Sequence, residues 1–410
     1  MLEHRITLYG ESVVYGFFSG NTGRLFLVNV MTAVSYAFIL PVMSLFLING
    51  LHASPIFITF YSLGFALSGL FFSQLMGGLA DKGYPAKRLF IFSVLALFLA
   101  GIAFTFCRHP VEALIVGIFL MGPGNASILL LLSMIRKHSM TAGLNSTRLN
   151  TQMRSGVSIV WIAGPALAFV FADKFGFTFN FLASAALSGM TILASQLLLA
   201  KDKKTIGKGS TKKESAGNVP VAGGIWVLGA VMMLANLSNN TYLTIMPLYL
   251  VKELNLPASF PGFLLGATAI MEIPVMLAAA HLAEKTGKEP LIMVAFIFAA
   301  IYYSLLQLAS NMTELIVLQL LNGLFFGIFV GLGISLIQDA LPERSGFASA
   351  FHSNAMRTGM MAGNGIAGVM AQLAGFRITL LVPLLSVCCA ALLMFCINRS
   401  HALKKHSVNG

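Results

Sequence analysis

The sequence predicts an all-α integral membrane protein, with twelve transmembrane helices in two six-helix bundles and both termini in the cytosol. Three observations carry this. Charged residues make up 10% of the 410 and hydrophobic residues 57%, whereas an average soluble domain carries ~25% charge. A chain of this length buries a core in water only beneath a charged surface, and those residues are missing. The Lys and Arg that are present fall almost all on one side of the predicted spans, and the two halves of the chain repeat at a fixed offset.

A spanning helix needs ~20 mostly apolar residues. Twelve runs qualify: 25–48, 55–79, 88–107, 112–135, 155–173, 178–199, 224–249, 260–281, 290–309, 313–337, 346–371 and 376–397. They are continuous apolar stretches without period-two alternation, which makes them helices rather than barrel strands. Residues 1–23 contain Glu3, Arg5 and Glu11, and no uncharged h-region precedes the first span, so no cleavable signal is expected there. Of the four cysteines, Cys107, Cys388, Cys389 and Cys396, three lie in the last run and none has metal-ligand spacing. They read as small apolar packing residues, and no metal is expected. The one long polar interruption, 201–218, holds six lysines against Asp202 and Glu214 and is rich in Gly, Ser and Thr. It reads as a flexible cytosolic linker. The domains are then a first bundle at 1–199, a linker at 200–222 and a second bundle at 223–410.

With the N-terminus inside, 22 of the 26 Lys and Arg lie on the cytosolic side, and Arg108, Lys174, Lys252 and Arg377 lie outside. The positive-inside rule fixes the orientation from this bias. The net charge of +12 is therefore a topology signal with some attraction to anionic lipid, and no nucleic-acid partner is expected.

Leu79-Ala80-Asp81-Lys82 after the second span matches Leu282-Ala283-Glu284-Lys285 after the eighth, and Met153-Arg154-Ser155-Gly156 entering the fifth matches Met356-Arg357-Thr358-Gly359 entering the eleventh. Both pairs are 203 residues apart. Parallel duplication of a six-helix unit is the plan of a rocker-type secondary transporter, with its site where the halves meet.

At these residues the chain resembles the major facilitator superfamily. The signature of its second loop reads here as Gly77, Leu79, Asp81, Lys82 and Gly83, then Lys87 and Arg88; its second-half copy reads Glu284-Lys285-Thr286-Gly287-Lys288. More narrowly, the chain resembles a diverged member of the bacterial sugar efflux transporter family. Met246-Pro247-Leu248, Gly262-Phe263-Leu264, Glu272-Ile273-Pro274 and Gln338-Asp339 followed by Pro342, Arg344 and Gly346 carry the likeness in the second half. Trp161, Gly164-Pro165, Gly176-Phe177-Thr178 and Pro41 with Ser44-Leu45-Phe46-Leu47 carry it in the first. The resemblance implies a bacterial inner-membrane protein that exports sugars or glycosides against protons. It also implies that Asp81 with Lys82 and Arg88, Glu284 with Lys285, and Asp339 with Arg344 latch the cytosolic gate. A carboxylate beside a helix start and nearby Arg has the chemistry for such a latch.

Of the fourteen acids, Glu272 alone sits in the middle of a predicted span. A charge there is costly, so it is expected to face a bundle interior or cavity and to load and release the coupling proton; the competing reading is a protonated side chain bonded to a neighbouring helix. Amides are the other unusual feature. Asn236, Asn239 and Asn240 are spaced i, i+3, i+4 in the seventh span, Asn29 and Tyr36 share a face of the first, Gln319 and Asn322 are three apart in the tenth, and Asn125 lies in the fourth. Sugar hydroxyls need paired donors and acceptors, which amides supply, and rings such as Trp161 and Tyr36 pack on a sugar's C–H face. Asn354 and Arg357 lie on one stripe of the eleventh span, and all of these are candidate substrate residues, against the alternatives that the amides bond helix to helix and that Arg357 snorkels to the cytosolic edge as an anchor or joins the gate. Gly323, Gly327 and Gly331, with Gly359 and Gly363, read as close-packing seams.

No nucleophile–base pair, metal cluster or nucleotide loop is present, so an enzyme is not expected, nor is a cofactor. A proton-coupled drug or amphiphile exporter is the alternative, since 33 Phe and 21 Met suit an apolar site. The expected partners are a small sugar, a proton and the lipid bilayer, with the protein acting as a monomer.

Overall fold

The computed structural model describes residues 20–143, 146–199, 223–341 and 344–408. The expected linker at 200–222, the segment 1–19 and Pro342 lie outside the described residues, as does the side chain of Arg154. All the regular structure described is helical. Seven of the described helices are long and apolar enough to cross a membrane, or eight if the pair Phe347–Thr379 and Leu381–Ile397, bent by 83°, counts as one span.

The helices follow the predicted runs with breaks where the backbone chemistry demands them. The first run is interrupted. Helix α1, Gly20–Ala37, ends in a turn over 38–42 that contains Pro41, which has no N–H to continue a helix. The chain resumes as α2, Met43–Leu45, and a π-helical turn, Phe46–Gly50. Next come α3 (Ile56–Asp81), α4 (Ala86–Phe106), α5 (Pro110–Val116), a second π-turn (Gly117–Met121) and α6 (Gly122–Thr141). The fifth and sixth runs form α7, Ser146–Leu198, bent at Gly176 with φ 83° and ψ 165°. A positive φ of this kind is open to glycine and closed to most other residues.

The second half repeats the pattern. It comprises α8 (Gly223–Leu248), a π-turn (Tyr249–Glu253), α9 (Phe260–Thr286), α10 (Lys288–Leu306), α11 (Met312–Ala340), α12 (Ser345–Thr379) and α13 (Leu381–Val408). Helix α12 is bent at Gly375 with φ 83° and ψ 171°. The π-turns at Phe46–Gly50 and Tyr249–Glu253 stand 203 residues apart, and each is followed by a non-glycine residue at φ 53°, His52 and Asn255, again 203 apart.

The chain divides into two compact units: the described part of Met1–Met43 with Gly64–Thr211, and the described part of Ser44–Leu63 with Lys212–Gly410. In the first, α1 lies along α7, and α4 packs on both α7 and α6 around Val28, Phe90, Val94, Leu130, Leu131 and Ile135. Gly164 lets α7 approach α1, since a Cβ there would meet Ala37 Cβ at 2.5 Å. Lys87 donates to the carbonyls of Leu199 (2.5 Å) and Gln196 (3.2 Å) at the end of α7, where a cation satisfies orphan carbonyls and opposes the helix dipole.

In the second unit, α8 packs on α12 and α13, and α11 packs on α9 and α10. The core is aromatic: Tyr242, Tyr302, Tyr303, Phe296, Phe325 and Phe329 are all buried. At the Gly375 bend the helix restarts with Phe376 and Arg377, whose N–H groups have lost their helical acceptors. Glu253 Oε1 accepts from both, at 2.9 and 3.1 Å, and Arg377 Nη2 donates to Gln307 O at 2.5 Å. Of the cysteines expected to pack, Cys107 is buried, whereas Cys388, Cys389 and Cys396 are exposed on α13.

Candidate functional site

Glu272 lies near the middle of α9 and is only partly exposed. Its carboxylate has no hydrogen bond or ion pair among the described residues. Its backbone is pressed against α11: a Cβ on Gly327 would come within 2.9 Å of Glu272 O, and one on Gly323 within 2.7 Å of Met271 Cβ. The Gly323–Gly327–Gly331 seam thus brings α11 to van der Waals contact with the residues around Glu272.

One turn along α9, Thr268 begins a buried polar cluster. Thr268 Oγ1 donates to Gln319 Oε1 at 2.7 Å, which also accepts from Asn322 Nδ2 at 3.2 Å. Gln319 Nε2 donates to Tyr302 OH at 3.3 Å and to Leu315 O at 3.1 Å. Both ends of the Gln319 amide are therefore in use inside the bundle, at 1% exposure. Tyr302, Tyr242 and Tyr303 pack edge to face, with ring centroids 5.0 to 5.9 Å apart. The hydroxyls of Tyr242 and Tyr303, Ser238 Oγ and Asn322 Oδ1 are fully buried and make no well-formed hydrogen bond; Tyr242 rests near Tyr302 and Gln319, and Tyr303 near Ser238.

The amide stripe on α8 faces α12. Asn236 Nδ2 donates to Met356 O at 2.5 Å, Thr241 Oγ1 to Gly363 O at 3.1 Å and Thr244 Oγ1 to Asn364 Oδ1 at 2.9 Å. Asn240 turns back to Asn236 O at 2.8 Å, and Asn239 is buried. Gly359 and Gly363 make this contact possible, because a Cβ on Gly363 would lie 2.6 Å from Leu237 O. Asn354 and Arg357 are exposed on α12. Also in the second unit, a cavity of about 690 Å³ is lined by Thr59, Leu63, Thr358, Met361, Ile366 and Met370 among others. Its wall is nearly all apolar.

In the first unit, Tyr36 is 2% exposed and its hydroxyl meets Ser127 Oγ at 3.4 Å. Asn29 Nδ2 donates to Met153 O at 2.9 Å. Asn125 fills the space beside Gly69, where an added Cβ would come within 2.6 Å of its Nδ2. Trp161 is 42% exposed on α7. Sequence reasoning alone misses Ser238, Thr268, Tyr302 and Tyr303. Only Thr268 leaves a signal, since it stands four residues before the one mid-span acid.

The sequence profile of the Major Facilitator Superfamily matches residues 25–232 and 228–409. Sugar efflux transporter A of Dickeya chrysanthemi is 31% identical over 365 residues, 89% of this chain and 92% of that one. The chain belongs to the major facilitator superfamily and, within it, to the sugar efflux transporter family. Sugar efflux transporter B of Salmonella typhimurium (strain LT2) is 28% identical over 91% of this chain and 94% of its own. Among solved structures, that of the nucleoside transporter NupG has a TM-score of 0.73 over 93% of this chain and 99% of that one, at 13% identity, a likeness of fold alone.

The major facilitator loop signature lies at the ends of α3 and α9. Asp81, Lys82 and Arg88 are exposed, as are Glu284 and Lys285. Lys288 Nζ donates to Asp339 Oδ2 at 2.5 Å, joining the second-half signature to the end of α11; the side chains are 26% and 62% exposed. Arg344 stands over the Phe347 ring at 5.1 Å.

Proposed function

We propose that this sugar efflux family member exports sugars or glycosides from the bacterial cytosol by proton antiport. In this reading it is a monomer of twelve inner-membrane spans with cytosolic termini, and its two six-helix halves give alternating access. The observation that carries the coupling is Glu272: a carboxylate in mid-helix with no ion-pair partner among the described residues, in a chain whose relatives over nine-tenths of its length are named sugar efflux transporters. A group of this kind marks a proton or ion pathway.

For the substrate, the reading rests on Asn239, Asn240, Asn354 and Arg357, with Asn236, Asn29, Tyr36, Asn125 and Trp161 as further candidates. Gln319 and Asn322 are weaker candidates, because their amides are held inside the cluster. The apolar cavity beside Met361 and Met370 favours a second reading, export of an amphiphile whose apolar part fills it.

The test is a panel of neutral sugars, glycosides and lipophilic cations offered to the purified protein in liposomes under an imposed pH gradient. Gradient-dependent flux of sugars alone supports the first reading, and flux of the cations alone supports the second. No gradient-dependent flux of either overturns proton antiport.

A further inference from the structure

The amides of the second unit's polar cluster are engaged with one another, and the cluster is richer in hydroxyls than helix packing needs. Four of its polar atoms, Ser238 Oγ, Tyr242 OH, Tyr303 OH and Asn322 Oδ1, are buried to 2% residue exposure or less without a well-formed hydrogen bond. Buried polar groups are nearly always bonded to protein or to ordered water, and a water that finds two to four such partners is a stable part of a fold.

The position of the cluster matters as much as its composition. Thr268 and Gln319 lie about two turns from the Phe260 and Met312 ends of their helices, and Tyr302 and Tyr303 lie about one turn from the Leu306 end of α10. These ends are on the same side of the bundle, opposite the α9–α10 turn at Gly287. The cluster therefore runs from that side inward to Thr268, which stacks one turn from Glu272 on the same face of α9. On the proposed orientation that side is the outer one, from which an antiporter that exports its substrate loads its proton.

We propose that this cluster is a hydrated proton port: Ser238, Tyr303, Tyr242 and Tyr302, with Asn322 Oδ1, hold internal water, and the chain so formed passes protons to Glu272. This deepens the antiport reading and rests on it. The transfer balances as a relay. A hydronium at the outer end gives a proton to the first oxygen, each hydroxyl or water accepts one proton and releases its own, and the Glu272 carboxylate ends as the neutral acid. Gln319 passes no proton. It is a positioning residue that fixes Thr268, Asn322 and Tyr302 through its amide. The ionisable members of the cluster and its acceptor are the three tyrosines and Glu272; Glu314, Glu253 and Arg377 stand at the outer ends of the packed helices, and no Asp, Lys, Arg or His makes an ion pair or hydrogen bond with Glu272 among the described residues.

The test is infrared difference spectroscopy of the full-length protein in liposomes after a jump in pH. The carboxylic acid band that disappears in Glu272→Gln reports the protonation of Glu272 without any sugar. In Tyr303→Phe with Ser238→Ala the band is expected to respond about tenfold more slowly, the factor that corresponds to ~1.4 kcal/mol on the barrier. Ring packing is kept in this variant, and its melting temperature reports whether the bundle is intact. Asn322→Leu is the second variant, read in the same way. An unchanged rate in both variants overturns the port. A wild-type band that does not respond to pH at all overturns the antiport reading, and the port with it.

Discussion

Thr268 Oγ1 donates to Gln319 Oε1 at 2.7 Å, one helical turn from Glu272. This bond joins α9 to α11 beside the mid-span acid, and it ties the neighbourhood of Glu272 to a network rather than to a counter-ion. A carboxylate without a counter-ion can change its charge without breaking a salt bridge, which is what a coupling group needs.

Glu272→Gln is therefore expected to abolish uphill transport driven by a pH gradient while sugar counterflow continues. The driving force at stake is large. One proton crossing 100 mV is worth ~2.3 kcal/mol and a pH unit adds ~1.4 kcal/mol, together enough for a several-hundred-fold gradient of a neutral solute. Full pH-driven transport by the variant in proteoliposomes would remove Glu272 from the coupling mechanism.

Gly327→Ala brings a Cβ within 2.9 Å of Glu272 O and of Val275 Cγ1. A backbone carbonyl yields less than a side-chain tip, so a loss of about 1–3 kcal/mol is expected, in line with overpacked cores. The helix shift at Glu272 should also slow pH-driven flux. Gly78→Ala is the control: nothing lies within 4 Å of its Cβ, and the change should be neutral or stabilising by up to about 1 kcal/mol. Thermal unfolding of both variants in detergent measures the difference.

Gln319→Leu removes the acceptor shared by Thr268 and Asn322: Thr268 Oγ1 keeps Leu264 O at 3.0 Å, but Asn322 Nδ2 loses its 3.2 Å acceptor and the Tyr302 hydroxyl loses its donor. Leaving buried polar groups unpaired costs about 1–3 kcal/mol, so the melting temperature should fall while sugar affinity is retained. A variant that melts normally but binds sugar poorly would return Gln319 to the substrate site.

Asp81→Ala removes an exposed carboxylate from the end of α3. As a latch residue it should slow turnover with little change in affinity. Weakened affinity at unchanged turnover, measured in the same flux assay, would reject the latch.

The helical architecture was legible because membrane helices announce themselves by length and polarity. The breaks were less so. Pro41 is visible in the sequence, but the turn it sits in and the merging of two runs across Gly176 depend on backbone angles that composition does not encode. The candidate site was legible by residue type and not by allegiance. The spacing of Asn236, Asn239 and Asn240 identifies a polar face on α8, but it cannot tell a cavity from a facing helix, and Gly359 and Gly363 bring α12 close enough to use Asn236 for packing. Gln319 and Asn322 hydrogen-bond to Thr268 and Tyr302, residues 17 to 54 positions away. No local pattern links them. The resemblance groups Asp339 with the gate, but its partner Lys288 shows in the sequence only as part of the loop signature.

The matched π-turns carry a historical consequence. Each holds one residue more than an α-helix of the same rise would, and each is followed by a left-handed residue, with the two copies 203 positions apart. The side chains have since diverged, Phe46 to Tyr249 and His52 to Asn255. An insertion shared by both copies is most simply older than the event that copied it. The ancestral six-helix protein then already carried the bulge, and a backbone irregularity has been inherited since the genes fused alongside the few sequence matches that remain.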